Sequence, residues 1–397
     1  MAKPKIRFKG YTDDWEQRKL GEIATETYGG GTPKTSNEEF WKGDIPWIQS
    51  SDLIDECLFD VRPRKCISQE AVSKSATKLV PQNSIAIVTR VGVGKLAFMP
   101  FSYATSQDFL SLSGLKIDPE FTVYALYKMM QSVSNEVQGT SIKGVTKDEL
   151  LAKKIIFPSC NEQKKIGAYL HNLDHLITLH QRKCEETKKL KKYMLQKMFP
   201  QNGQTVPEIR FSGFTDAWEQ RKFGDLGSVA MCKRIFKEQT STDGDIPFYK
   251  IGTFGAEPDA FISRELFEEY RGKFQYPNIG DMLISASGTI GRTVEYKGEE
   301  AYFQDSNIVW FKHDDRVDNS FLKCIYEIVK WSGIEGSTIK RLYNDNFLKT
   351  EFSMTKVAEQ QQIGMYFQSL DHLITLHQYK CEQLQSMKKF MLQNMFV

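Results

Sequence analysis

The sequence predicts an α+β protein made of two similar halves, each containing an irregular β-sheet domain followed by one long helix. Three observations predict this fold. Segments at both ends of the first half recur in the second half, two long stretches have amphipathic helical periodicity, and the regions between them hold short β-rich runs separated by turn residues.

The repeat is clearest at the ends of each half. Residues 15–19 read Trp-Glu-Gln-Arg-Lys and return as residues 218–222, and the run Leu173–Gln181 returns unchanged as Leu370–Gln378. The central regions barely match. The chain therefore has one architecture with two different centres, which is more typical of a protein that recognises two different targets than of a single catalyst.

Apolar residues spaced three and four apart predict one continuous helix over 162–199 and a second over 359–396. Ser159 and Glu162 form a capping-box pattern before the first helix, and Pro200 ends it. Such long amphipathic helices need a partner, so we expect the two to pair as an antiparallel coiled coil. The predicted packing residues are Ile166, Leu170, Leu173, Leu176, Ile177, Leu190, Ile363, Phe367, Leu370, Leu373, Ile374 and Leu384.

The regions 20–158 and 223–355 contain the β-rich runs, and each includes one shorter predicted helix, near 122–137 and 320–331. Trp15 and Trp218 are expected to anchor the core of each half. The predicted division is a first domain at 1–158, a first spacer helix at 159–200, a linker at 201–208, a second domain at 209–355 and a second spacer helix at 356–397.

Composition narrows the class of protein less than the repeat does. The net charge of +3 is too small to indicate a polyanionic partner by itself. Seven scattered cysteines without a Cys-x-x-Cys pair fit reduced thiols better than disulfides or zinc, and no apolar run reaches the roughly 18 residues that cross a bilayer. We therefore expect a cytoplasmic protein.

An ordered set of motifs resembles the specificity subunit of type I restriction-modification systems. The set comprises Trp-Glu-Gln-Arg-Lys, Gly-Gly-Thr-Pro at 30–33, Gly-Asp-Ile-Pro at 43–46, Gly-Thr-Ser-Ile-Lys at 139–143, and the helix opening at 162–166. The second half repeats most of them, at 244–247, 336–340 and 359–363. It departs from the family at Val229–Phe236, where Gly-Gly-Thr-Pro is missing.

This resemblance implies a subunit without catalytic activity that recognises DNA. It implies two target recognition domains, each reading one half of a split double-stranded DNA sequence, and paired helices that set the spacing and dock the modification subunits. It places S-adenosylmethionine on two partner modification subunits, with no cofactor in this chain, and DNA cleavage on restriction and translocase subunits. Because the two centres differ, we expect an asymmetric target. Two domains that approach the same face of DNA would place the half-sites one helical turn, about 34 Å, apart.

The candidate DNA-binding residues combine cations, hydroxyls and nearby glycines, the groups that contact phosphate closely. A solvated cation beside a structural turn is the alternative at each position. Arg90 and Arg292 are further candidates for guanine recognition. The full set is Lys34, Thr35, Arg90, Lys95, Thr140, Ser141, Lys143, Arg292, Ser337, Thr338, Lys340 and Arg341.

Other motifs favour structural roles. Gly92-Val93-Gly94-Lys95 lacks the first glycine and the hydroxyl residue of a phosphate-binding loop. His171 and His175 are better explained as structural or partner-facing than as metal ligands, and no catalytic or metal site is predicted. The lysines near the helix ends, Lys188, Lys189, Lys191, Lys192, Lys388 and Lys389, favour a solvated face over a DNA patch.

Two alternative functions remain open at this point. One is a tandem-domain transcriptional regulator that binds DNA without a methyltransferase partner, and the other is a coiled-coil scaffold that bridges proteins. Copurification with a modification subunit would argue against the regulator. DNA binding that weakens steeply with salt would argue against the scaffold.

Overall fold

The structure is a computed structural model that describes residues 3–137, 144–201, 203–334 and 340–397. The chain forms two compact units: unit 1 comprises residues 1–182 and 378–397, and unit 2 comprises residues 183–377. Each unit contains one α+β region together with a part of both long helices. This grouping differs from the predicted division, in which each long helix was a segment of its own.

The described residues of unit 1 form three small sheets and three α-helices in addition to the pair of long helices. The strands are β1 (Glu16–Lys19), β2 (Ala24–Gly29), β3 (Ile45–Ile48), β4 (Lys65–Ile67), β5 (Ser84–Val88), β6 (Leu96–Met99), β7 (Ala104–Thr105), β8 (Phe109–Leu115) and β9 (Lys154–Phe157). The helices are α1 (Gln69–Lys74), α2 (Pro119–Val137), α3 (Lys147–Ala152) and the long α4 (Cys160–Lys197), which continues into unit 2.

The main sheet of unit 1 has four antiparallel strands in the order β2-β8-β5-β6. Strand β5, one of the two inner strands, is buried along its whole length, which suits the continuous run Ser-Ile-Ala-Ile-Val. A second sheet has the order β4-β3-β7, with β3 and β7 parallel, and β1 pairs with β9. Helix α2 contacts β6, and the hydrophobic core of unit 1 includes Trp15, Phe121 and Tyr124.

Unit 2 repeats this arrangement. Its strands are β10 (Glu219–Lys222), β11 (Gly227–Ala230), β12 (Ile246–Tyr249), β13 (Phe261–Ile262), β14 (Met282–Ser285), β15 (Thr293–Glu295), β16 (Tyr302–Phe303), β17 (Ile308–His313) and β18 (Glu351–Met354). Its helices are α5 (Arg264–Lys273), α6 (Asn319–Ile328), α7 (Asn344–Lys349) and the long α8 (Val357–Asn394), which continues into unit 1. The sheets have the orders β11-β17-β14-β15, β13-β12-β16 and β10-β18.

Two of the shorter helices, α2 and α6, were predicted from sequence. Both begin earlier than predicted because an aspartate caps each of them. The Asp118 carboxylate accepts a hydrogen bond from the Phe121 amide at the start of α2, and Asp318 does the same for Ser320 and Phe321 at the start of α6. Helix α6 ends at Ile328, before the predicted end at 331. Both predicted tryptophan anchors, Trp15 and Trp218, are buried in the core of their units.

The two long helices run antiparallel within each unit, as predicted. In unit 1 the Cys381 thiol donates to the Ile177 carbonyl, and Lys388 pairs with Asp174 at 2.5 Å. In unit 2 the Cys184 thiol lies 3.9 Å from the Ile374 carbonyl, and Lys191 pairs with Asp371 at 2.7 Å. Rising residue numbers on one helix therefore meet falling numbers on the other, and each unit uses the same pair of contacts.

The packing residues of these helices require a correction. Ile166, Leu170, Leu173 and Ile177 are buried in unit 1, as are Ile363, Phe367 and Leu370 in unit 2, while Ile374 and Leu384 are partly buried. Leu176, Leu190 and Leu373 are exposed by 39%, 44% and 41%, against expectation. A straight helix drifts from a strict heptad stripe, and the cysteines and lysine–aspartate pairs take positions along the interface instead.

Two of the predicted surface lysines are also structural. Lys191 bridges Glu327 and Asp371, and Lys388 bridges Asp174 and the Glu56 carbonyl. Burial disfavours the charged form of Lys191, but its hydrogen bonds to Asp371 and Glu327 outweigh that effect and raise its pKa. Neither a solvated face nor a DNA patch therefore describes these two side chains.

The predicted capping box at the start of α4 is replaced by a different contact. Arg7 donates two hydrogen bonds to the buried Glu162 carboxylate, at 2.7 and 2.8 Å, so this acid binds an arginine from the start of the chain. Arg210 binds Glu359 with the same two distances in unit 2. The guanidinium–carboxylate fork is one of the strong interactions in proteins. It attaches the Ile-Arg-Phe segment of each half to a long helix.

Candidate nucleic-acid interface

Strand directions bring several loops of unit 1 to one edge of its four-stranded sheet. Because β2 and β5 both pair antiparallel with β8, they run in the same direction and end at the edge where β8 begins. This edge carries three loops: residues 30–37 after β2, residues 89–95 after β5 and residues 106–108 between β7 and β8. We call these three loops the sheet edge of unit 1.

Backbone hydrogen bonds join these loops. The Gly31 amide donates to the Thr105 carbonyl at 2.8 Å, and the Thr89 amide and hydroxyl both donate to the Asp108 carbonyl, at 2.7 and 3.0 Å. The Val145 amide donates to the Thr89 carbonyl at 2.8 Å. The chain that follows the Gly-Thr-Ser-Ile-Lys motif is therefore attached to the same edge.

The glycine pair in this edge has a steric reason. A Cβ atom on Gly30 would lie 1.8 Å from the Ser106 carbonyl oxygen, and one on Gly31 would lie 2.6 Å from the backbone of Ala76. Only glycine permits this close approach of the loop to its neighbours. The Gly-Gly-Thr-Pro element thus fixes the path of the loop that presents Lys34 and Thr35.

Most of the described candidates in unit 1 lie on this edge with their side chains exposed. Lys34, Thr35 and Arg90 are exposed, and the Arg90 side chain makes no hydrogen bond or ion pair with any residue that the structure describes. Lys95 differs, because its amine donates to the Leu53 carbonyl at 3.1 Å and lies 3.7 Å from Asp55. Thr140, Ser141 and Lys143 lie outside the described residues.

Unit 2 builds the same edge with different side chains. Strands β11 and β14 both run antiparallel to β17, so residues 231–237 and 286–292 meet residues 304–307 there. The Leu342 amide donates to the Ala286 carbonyl, which corresponds to the contact between Val145 and Thr89 in unit 1. The Gly288 amide also donates to the Lys340 carbonyl at 3.0 Å.

The described candidates in unit 2 are of two kinds: cations that are exposed, and one cation that is bonded within the protein. Lys340 and Arg341 are exposed on the sheet edge. Arg292 donates from Nη2 to the Ile251 carbonyl at 2.9 Å, and its guanidinium lies 5.4 Å from the centre of the Phe254 ring. Part of that guanidinium therefore stabilises the turn that contains Ile251 and Phe254. Ser337 and Thr338 lie outside the described residues.

Sequence reasoning missed two features of these edges. The segment before the last long strand of each sheet contains Gln-Asp in both units, at 107–108 and 304–305, after an alanine three residues earlier. In unit 2 the loop after β11 exposes Lys233, Arg234, Phe236 and Lys237 in place of Gly-Gly-Thr-Pro. Aligning the two halves on Ala-x-x-Gln-Asp would have revealed the first feature, and the basic and aromatic run 233–237 the second.

The chemistry available at both edges is electrostatic and hydrogen-bonding. Exposed lysines and arginines lie beside backbone amides and hydroxyls, the groups that neutralise and position phosphates or contact base edges. The nearby Cys232 thiol is buried, which raises its pKa to about 12 and keeps it protonated near neutral pH. The exposed cations at both edges can therefore bind a polyanion. The Cys232 thiol supplies no reactive nucleophile there.

The described parts of the chain contain neither a metal-binding cluster nor a helix that could span a membrane. Within them, no group of three or more histidine, cysteine or acidic side chains is arranged to hold a metal ion. His171 stacks on Phe59 with a centroid distance of 4.3 Å, and its Nδ1 lies 2.7 Å from Glu120, while His175 is exposed. None of the helices described is both long and apolar enough to cross a membrane.

Comparison with known proteins identifies both halves. The family model of the type I restriction modification DNA specificity domain matches residues 12–189 and 215–386. The chain is 56% identical over 158 residues to a putative type I restriction enzyme specificity subunit of Haemophilus influenzae, covering 39% of this chain and 41% of that protein. It is 28% identical over 304 residues to the MjaIX specificity subunit of Methanocaldococcus jannaschii, covering 69% of this chain and 66% of that protein.

A solved structure supports the same fold. The S subunit of a type I restriction-modification system from M. genitalium superposes with a TM-score of 0.65 at 14% identity, covering 100% of this chain and 99% of that one. The matched segment spans less than half of the Haemophilus relative. The two family matches together cover most of the chain and coincide with its two repeated halves, each with its own sheet edge. The chain therefore belongs to the type I restriction modification DNA specificity family and carries two copies of its domain.

Proposed function

We propose that this chain is the specificity subunit of a type I restriction-modification complex, without catalytic activity of its own. The α+β regions at 1–158 and 209–355 would act as target recognition domains, each reading one half of an asymmetric split sequence in double-stranded DNA. The paired helices would set the spacing of the half-sites and dock the modification subunits.

One observation carries this proposal. Each unit presents the same sheet edge, with the same backbone contacts between Thr89 and Val145 or between Ala286 and Leu342, but with different exposed side chains. A shared framework with different side chains is what recognition of two unlike half-sites requires. The candidates Lys34, Thr35, Arg90, Lys340 and Arg341 have the chemistry for phosphate and base contacts.

The partners follow from this role. We propose that two modification subunits supply S-adenosylmethionine and extrude the target base, and that restriction and translocase subunits supply cleavage. The proposed cytoplasmic location is supported by the cysteines, all seven of which are free thiols.

Methylation mapping tests the proposal. The chain is expressed with its modification subunit in cells that lack other adenine methyltransferases, and methylated adenines are located by single-molecule sequencing. We expect one split motif with two unlike halves and a fixed gap. A continuous motif, a palindromic motif or no methylation contradicts the proposal.

Purification distinguishes the proposed function from its rivals. The chain should copurify with the modification subunit, and the complex should bind its target with an affinity that falls steeply as salt rises, because phosphate contacts release counterions. A lone chain that binds DNA specifically and ignores the modification subunit would identify a regulator. Binding to proteins alone, with no salt-dependent DNA binding, would identify a scaffold.

A further inference from the structure

One arginine on the sheet edge of unit 2 is held by a carboxylate from a distant loop. Arg234 lies in the loop after β11, and its Nε donates to Asp305 Oδ2 at 2.9 Å across 71 residues of sequence. The Arg234 side chain is 59% exposed, whereas that of Asp305 is only 16% exposed. A largely covered acid therefore anchors an arginine whose side chain is more than half exposed.

The anchor itself is fixed to the sheet edge. The Asn307 amide donates to the Asp305 carbonyl at 2.6 Å, and the Asn307 side-chain oxygen accepts from the Ser287 hydroxyl at 2.7 Å. The Asn307 carbonyl accepts from the Ala286 amide at 2.8 Å. The backbone of Asp305 thus belongs to a loop that is hydrogen-bonded to the loop carrying Ser287, which fixes where the Asp305 carboxylate starts from.

The geometry leaves the outer donors of Arg234 available. Only Nε is engaged, and neither Nη atom has a hydrogen-bond partner in the parts of the chain that the structure describes. In Arg264, by contrast, both Nη atoms donate to the Glu300 carboxylate, at 3.1 and 3.0 Å. Arg234 is a preorganised fork that has lost part of its rotational freedom before it meets a ligand.

A guanidinium fork presented in this way matches guanine. Arginine donates two parallel hydrogen bonds to O6 and N7 of guanine in the major groove, and no other base offers two acceptors there. We propose that Arg234 reads a guanine in the half-site recognised by unit 2 and that Asp305 is the positioning residue that aims it. This inference rests on the proposed function, since it assumes that the sheet edge contacts DNA.

Unit 1 differs at the same place. Its loop after β2 presents Lys34, a point charge without a planar fork, and its Asp108 carboxylate is 3.4 Å from the Ser106 hydroxyl. No arginine contacts Asp108 within the described residues. The described residues of unit 1 therefore hold no arginine anchored in this way, and we expect the two half-sites to differ at this position.

The test uses the whole complex of this chain with its modification subunits. Methylated adenines are mapped for the wild type, Arg234→Gln, Asp305→Asn and the matched control Arg264→Gln. The wild-type motif should contain a required G·C pair in the half assigned to residues 209–355. Arg234→Gln should relax that single position about 5- to 150-fold, as the discrimination of a bidentate contact predicts. Asp305→Asn should relax the same position less, and Arg264→Gln should leave the motif unchanged.

A binding measurement separates base reading from a structural effect. The purified complexes are titrated with target duplexes in which the guanine is replaced by 7-deazaguanine, which lacks the N7 acceptor. Wild-type affinity should fall several-fold on this replacement, and the Arg234→Gln complex should not respond to it. A split motif that Arg234→Gln leaves unchanged, or an equal loss of affinity for all bases, overturns the inference alone. A wild type without a split motif overturns the proposed function and this inference together.

Discussion

Replacing Arg210 by methionine is expected to lower the free energy of unfolding of unit 2 by about 3 kcal/mol, the lower end of the range for breaking a buried ion pair. Arg210 binds Glu359 through two hydrogen bonds, and the Glu359 carboxylate is 1% exposed. The hydrogen bond to Glu359 outweighs the effect of burial and raises the pKa of Arg210. Methionine fills similar space but leaves the buried carboxylate without its cation, with the Thr355 hydroxyl still donating to it.

Thermal unfolding together with hydrogen exchange measures this effect. Amides of α6 and β18 in unit 2 should exchange faster in Arg210→Met. The corresponding variant Arg7→Met should affect unit 1 in the same way, because Arg7 binds the fully buried Glu162. Arg316→Met is the surface control, since the Arg316–Asp314 pair is exposed and little change is expected. An Arg210→Met protein as stable as the control would show that the fork does not hold Ile-Arg-Phe to the helix.

Replacing Gly364 by alanine is expected to destabilise unit 2 by about 2 kcal/mol through overpacking. Gly364 lies in α8 where the start of α6 crosses it, and an added Cβ would fall 1.8 Å from the Ser320 hydroxyl oxygen and 2.9 Å from the Ser320 carbonyl carbon. The helix preference for alanine over glycine, up to about 1 kcal/mol, acts in the opposite direction and should not compensate.

Gly272→Ala is the matched control. Gly272 also lies in a helix of unit 2, α5, but a Cβ there would meet no atom within 4 Å. This substitution should leave stability unchanged or raise it slightly, since only the helix preference operates. Denaturant midpoints of the two variants provide the comparison. Equal midpoints for Gly364→Ala and Gly272→Ala would mean that α6 does not pack against α8 as closely as the structure has it.

The parts of the fold that could be predicted are those encoded by local periodicity and by repetition. Apolar spacing predicted both long helices to within about two residues at all four ends, and the duplicated motifs predicted their antiparallel pairing. Burial of Leu170 and Phe367 follows from the same pattern. Such signals lie within a few residues of one another, so they can be read without knowing the tertiary structure.

The predictions were wrong where a residue distant in sequence determines what a side chain contacts. Lys191 and Lys388 resemble solvated lysines in sequence, but each faces an aspartate on the opposite helix. Glu162 fits a capping box, yet Arg7 approaches it from far away in sequence. Leu176 and Leu373 belong to an apolar stripe that the interface does not follow. None of these partners is visible from local spacing.

The candidate site could be predicted only as separate motifs. Lys34, Arg90 and the segment after the Gly-Thr-Ser-Ile-Lys motif lie far apart in sequence, and the strand order β2-β8-β5-β6 brings their loops to one edge. The contact between Arg234 and Asp305 spans two loops and could not be read from either alone. Sequence shows which loops carry suitable chemistry, and the topology of the sheet determines which of them meet.

Each unit is proposed to read one half of a split DNA target, and a domain exchange tests this division of labour. Residues 20–158 are replaced by the corresponding region of another family member, the chain is expressed with its modification subunit, and methylated adenines are mapped. We expect a new sequence in one half of the motif, with the other half and the gap unchanged. A motif that stays the same, or that changes in both halves, would contradict it.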